Sequence, residues 1–89
     1  MPPSLDASHR TSDLWEAAFV WALGSPLVRL DVDTDDHVTW VFPDGGDALL
    51  EQIAAYRRGT ALVNPASYRQ GYLEMRRAMS RELRNAGDR

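Results

Sequence analysis

The chain contains no cysteine and no lysine. Without cysteine there is no disulfide, no thiolate nucleophile and no thiolate-bound metal, and the expected compartment is the cytoplasm. Long apolar runs are missing as well. The longest, Ala17 to Leu23, falls far short of the roughly 20 residues that cross a bilayer, so no membrane partner is expected. The opening MPPSLDASHR has no apolar stretch and does not read as a signal peptide. Histidine is scarce: His9 lies in that opening segment and His37 stands among acids, and neither is spaced with a serine and a carboxylate as a triad requires. The acids cluster in an open turn, where nothing would raise a carboxyl pKa for acid–base work. No catalytic residue, no cofactor, no metal and no small-molecule substrate is therefore expected, and a chain of 89 residues has little room for a water-excluding pocket.

What is present is a globular composition, 44 % apolar and 26 % charged, sized for one small domain. The formal charge of −3 hides an asymmetry. Residues 1–56 carry two arginines against ten acids, a net of −8, whereas residues 57–89 carry eight against three, a net of +5. A codon bias toward arginine accounts for the missing lysine but not for the clustering. Arginine is the better bidentate partner for carboxylate and phosphate.

Residues 1–10 read as a flexible tail, followed by a single domain over 11–87. In TSDLWEAAFVWALGSP, Thr11 or Ser12 can cap a helix whose first turn holds Asp13 and Glu16, with Gly24 and Pro26 ending it. That helix, over about 12–23, is apolar almost all round, as suits a central or an interface element. Some of the three tryptophans must be core, but one small domain cannot hide the whole circumference, so Trp15 and Phe19 are candidate interface anchors.

The segment LVRLDVDTDDHVTWVFPDGG alternates with period two. Val28, Leu30 and Val32 face one way, as do Val38, Trp40 and Phe42, with Thr39 and Val41 on the outer face: a β-hairpin with one buried side. A second helix follows, capped by Asp47, with a stripe of Leu49, Ile53 and Tyr56, and Gly59 stops it. The piece TALV at 60–63 is a possible third strand. Asn64 then caps a third helix with Pro65 at its first position, over about 65–86. The order α-β-β-α-(β)-α predicts an α+β domain with helices on one face of a small antiparallel sheet.

Two stretches resemble ligand loops and fail the test. DVDTDD begins like a calcium-binding loop, but its sixth position is Asp36 where glycine is needed, and its twelfth is Phe42 where a bidentate glutamate is needed. PDGGD joins a strand to a helix as a phosphate loop does, but it has no lysine, and Asp44 and Asp47 would repel phosphate. Both read as turns.

The third helix carries the strongest signal. On a helical wheel Tyr68, Tyr72, Met75, Met79 and Leu83 form an apolar seam. Arg69, Arg76, Arg77, Arg81 and Arg84 share one broad face beside it, which Arg57 and Arg58 can join from the end of the second helix. The seam has near-heptad spacing, yet over two heptads it reads as core. The arginine face reads either as a solvated surface paired with the chain's own acids, or as a grip for nucleic-acid phosphates or an acidic protein.

Taken together, TSDLWEAAFVWALG, the hairpin end VTWVFPD, AYRRGTALVNPASY with Gly59, Ala61 and Val63, and LEMRRAM resemble a family of very small bacterial and phage proteins known only as a domain of unknown function. The resemblance covers about residues 11–79, with Trp40 where the family has phenylalanine. It implies a small auxiliary protein of bacteria, phages or mobile elements, and no catalytic residue or ligand. The expected function is a non-enzymatic accessory subunit whose arginine-rich helix contacts nucleic acid or another polyanion within a nucleoprotein complex. The alternative is a protein–protein adaptor or homodimer that uses the first helix and touches no nucleic acid.

Overall fold

Period-two alternation over residues 28–42 builds the hairpin at the centre of the fold, strand β2 (Arg29–Val32) against strand β3 (Val38–Phe42). The structure is a computed structural model and describes residues 8–87. Leu30 sits opposite Trp40 and Val32 opposite Val38, so their side chains share the inner face, as the alternation predicts. The acid-rich connection closes through Asp33. Its Oδ1 accepts the backbone N–H groups of Asp35 and His37, both at 2.9 Å, and those bonds hold its carboxyl below the usual range. Asp36 takes the left-handed conformation with φ 61°, which aspartate tolerates better than most residues.

The third strand is not TALV. It is β1 (His9–Thr11), antiparallel to the other edge of β3, giving the order β1-β3-β2. His9 and Arg10 therefore belong to the sheet and not to a tail; residues 1–7 of that tail lie outside the described residues. Residues 60–63 run extended between helices without joining a sheet, and Leu62 is 92 % exposed there. On the outer face Val41 is nonetheless buried, in register between Arg10 and Arg29. Their stems can lie over the valine while both charged heads reach Asp31, at 3.6 and 3.0 Å.

Helix α1 (Leu14–Ala22) is capped by Asp13 rather than by Thr11 or Ser12: its Oδ1 accepts from the Trp15 and Glu16 amides at 2.9 and 3.3 Å. Helix α2 (Gly46–Arg58) starts on Gly45, with the Asp44 carboxylate accepting from the Gly46 amide at 2.8 Å, so Asp47 sits in the first turn and is not the cap. It ends at Gly59, whose φ of 79° needs no Cβ. Helix α3 (Pro65–Gly87) opens as predicted, with Asn64 Oδ1 accepting from Ala66 and Ser67.

All three helices pack on the inner face of the sheet, where Val38, Trp40 and Phe42 meet Ala17, Val20, Leu49, Ile53 and Met75. This is the expected α+β fold. Trp40 is buried, and its indole N–H donates to the Met75 carbonyl of α3 at 3.3 Å, which ties sheet to helix. Trp40→Phe should lower stability by about 1.5 kcal/mol through the vacated volume and the lost bond. A shift of the urea midpoint at unchanged m-value checks it.

Candidate functional site

Helix α3 is pinned by two positions that lie close together on its wheel, Gly71 and Met75, both buried. Gly71 is a contact residue. A Cβ there would stand 2.5 Å from the Ala18 carbonyl oxygen and 3.2 Å from the Trp21 ring, so α3 crosses the backbone of α1 too closely for any side chain at this position. Taking Arg69 as zero, Gly71 and Met75 point to about 200° and 240°, while the arginines span about 340° to 120°. The buried direction is thus turned from the tyrosine–methionine seam toward Gly71, and the arginine arc lies nearly opposite the core. Tyr68, Tyr72, Met79 and Leu83 are only half-buried.

Arg76, Arg77, Arg81 and Arg84 come together with Leu73 and Ser80 around a shallow, open concavity of about 370 Å³. Only Arg77 of these four has a carboxylate within salt-bridge distance among the described residues, Glu74 at 2.9 Å on its own helix. Arg69 is exposed on the same arc, two turns before Arg76, and has no carboxylate within salt-bridge distance among the described residues. Leu73 and Ser80, at about 40° and 20° on the wheel, fall inside the arginine arc. Their place was legible from the sequence, though only the guanidiniums announced the face.

Arg57 and Arg58 do not join this ridge. Arg57 Nε donates to Glu16 Oε1 at 2.7 Å, and Arg58 borders a separate depression with Glu51 and Gln52. Glu16 is the one charged residue the described core takes in, its side chain 4 % exposed. Burial alone pushes its carboxyl up, but the Arg57 hydrogen bond, the Thr11 hydroxyl and the charges of Arg57 and His9 together bring it below the ordinary value. His9 Nε2 stands 3.4 Å from the other carboxylate oxygen. Glu16 therefore links β1, α1 and α2, and Arg57 belongs to that linkage.

Glu82 sits on α3 between Arg81 and Arg84 in sequence, but at about 220° on the wheel it falls on the side of Gly71 and Met75, and the described acids other than Glu74 and Glu82 lie on other elements. Asp31, Asp33, Asp35 and Asp36 occupy β2 and the hairpin turn, and Asp13, Asp44 and Asp47 mark the starts of α1 and α2.

The two predicted anchors of α1 part company. Phe19 is fully buried, its ring stacked on Tyr56 at 4.7 Å, so it cannot anchor an interface. Helix α1 turns consecutive residues, Glu16 to Val20, into the interior, because α2, α3 and the sheet enclose it. Trp15 stays 51 % exposed and stacks on Tyr72, with centroids 4.3 Å apart and planes 15° from parallel. The Arg76 guanidinium lies 6.0 Å from the same Tyr72 ring.

Among the described residues no cluster of three metal-ligating side chains occurs, and no helix is long and apolar enough to cross a membrane. Comparison with protein families, with curated proteins and with solved structures finds no match for this chain.

Proposed function

We propose that the protein is a small non-enzymatic binding subunit that grips nucleic-acid phosphates through α3, as an accessory part of a nucleoprotein complex. The observation that carries this reading is the Arg76, Arg77, Arg81 and Arg84 concavity, in which three of four guanidiniums have no carboxylate partner among the described residues. An arginine held only to solve an internal charge problem looks like Arg57, hydrogen-bonded to a buried acid. Among the described residues the ridge meets no buried acid, only the half-buried Glu74 at Arg77, and its place opposite the core leaves it facing outward. Guanidinium forks spaced along a helix match phosphate oxygens bidentately, and each contact releases condensed counterions. Arg69 extends the same face. The small size agrees with an accessory role, for which the proposed compartment is the cytoplasm.

Four phosphate contacts predict a salt slope of about −3.6 on duplex DNA, a loss of about a hundredfold in affinity between about 50 and 200 mM salt. Arg81→Glu with Arg84→Glu should reduce the slope by about 2 and weaken binding at low salt by at least tenfold. Anisotropy titration of labelled DNA and RNA measures both. No binding at low salt would overturn the reading and turn attention to the adaptor, for which Trp15 and Leu23 are the large apolar side chains that α1 leaves exposed.

A further inference from the structure

Beside the arginine ridge the rings form a continuous ladder. Phe19, at the buried end, stacks on Tyr56. Tyr56 meets Tyr68 edge-on at 6.5 Å, and their hydroxyls are hydrogen-bonded at 3.1 Å. Tyr68 lies tilted against Trp15 at 5.9 Å, and Trp15 stacks on Tyr72, beneath Arg76. The hydroxyl pair and the partial burial keep the Tyr56 phenol strongly neutral, with its burial the largest cause and the Tyr68 bond next. The ladder is therefore an uncharged, rigid support that ends at the surface on a half-exposed indole.

Tyr72 covers one face of that indole. Tyr68 lies tilted against the same ring, and Trp15 nonetheless stays 51 % exposed. A half-exposed indole held by two tyrosines is an unusual use of tryptophan in a domain with a core to fill. Its neighbours supply the complementary charge. Arg76 stands one turn beyond Tyr72 on α3 with its guanidinium 6.0 Å from that ring, and Arg69 lies just under one turn before Tyr72 on the same helix.

We infer that Trp15, backed by Tyr72, is a stacking platform for an unpaired base, and that the site selects single-stranded nucleic acid over duplex. The inference rests on the phosphate-gripping reading above and adds to it the form of the ligand. In a duplex the base faces are occupied by their neighbours, so an indole at the surface gains nothing from them. In a single strand every base offers a face, and stacking is tolerant of sequence. Phosphates held by Arg69 and Arg76 set the strand beside the platform, and the adjoining base turns onto Trp15. The chemistry needed is a polyanion that carries flat, weakly polar rings along its backbone, which an acidic peptide does not supply.

The test compares a labelled 12-nucleotide oligothymidylate with a 12-base-pair duplex at low salt. The parent protein should prefer the single strand. Trp15→Ala should weaken single-strand binding about tenfold or more, in line with the loss of one stacked base, and leave duplex binding within about twofold. Trp15→Phe keeps a stackable ring and should retain most of the affinity. It should also lose the quenching of tryptophan fluorescence that oligothymidylate produces in the parent, a readout that does not depend on Trp15→Ala folding. Equal losses on both ligands, or none, or an unquenched parent would overturn the platform. If Arg81→Glu with Arg84→Glu still weakens binding at least tenfold in that case, the phosphate grip survives and only the platform falls. A parent that binds neither ligand removes both.

Discussion

Arg57→Met is expected to lower stability at neutral pH by about 2 kcal/mol, a drop in Tm of about 10 °C for a domain of this size. The loss is not that of a surface ion pair, which contributes little. It arises because Glu16 stays behind, buried, without the guanidinium that makes its charge tolerable. Arg57 is itself 63 % exposed and returns to water without difficulty, which keeps the figure below the roughly 3–5 kcal/mol seen when a fully buried pair is broken. The pH dependence separates this account from simple loss of packing. In the parent, Glu16 has a folded-state pKa below its unfolded one. Its contribution is complete above the unfolded value near 4.5 and is lost as pH falls through the folded value. In the variant, burial is the largest remaining influence and pushes the carboxyl up, so the folded state takes up the proton more readily than the unfolded chain. The deficit relative to the parent should therefore shrink as pH falls from 7 toward 4.5. Thermal melts across that range measure it, and a deficit that stays constant with pH would contradict it.

Gly71→Ala is the second large effect, and its sign is the informative part. On propensity alone, alanine in a helix interior should stabilise α3 by up to about 1 kcal/mol. Here the added Cβ meets a backbone carbonyl oxygen at 2.5 Å, which no rotamer change can relieve. Helix α1 must move away from α3, and the layer containing Val20, Trp40 and Met75 loosens with it. A net cost of about 2 kcal/mol follows, again about 10 °C in Tm. A rise of a few degrees in the Gly71→Ala melt would mean that the two helices lie farther apart than described here.

These two residues also mark where sequence reasoning reached and where it stopped. The hairpin was legible because alternation is a local property, although Val28, which the alternation sets on the inner face with Leu30 and Val32, precedes β2 and is 56 % exposed. Helices α2 and α3 were legible from Gly59, Asn64 and Pro65, whose backbone preferences act within a few residues. β1 was not. Three residues, His9 to Thr11, show no period, and their strand state comes from a partner about 30 residues away in β3. TALV has the better strand composition yet pairs with neither edge strand, β1 or β2. Gly71 gave a signal of its own, a glycine in the middle of a helix of good formers, but its meaning depends on which helix crosses there. Phe19 and Trp15 are four residues apart on a helix apolar all round, and no property of α1 alone decides which of them faces the interior. The arginine arc was visible on the wheel, yet pairing was not. Which guanidinium meets a carboxylate depends on Glu16 being carried into the core beside α2.

On the proposed function the α3 guanidiniums are free to meet phosphate, while that of Arg57 is held by Glu16. Nitrogen-15 NMR of the arginine side chains, with a short oligonucleotide titrated in at low salt, tests it directly. The Nε–H resonances of Arg76, Arg81 and Arg84 should shift progressively and saturate together, while that of Arg57 keeps its position. Shifts confined to Arg57, or none at any arginine, would contradict it.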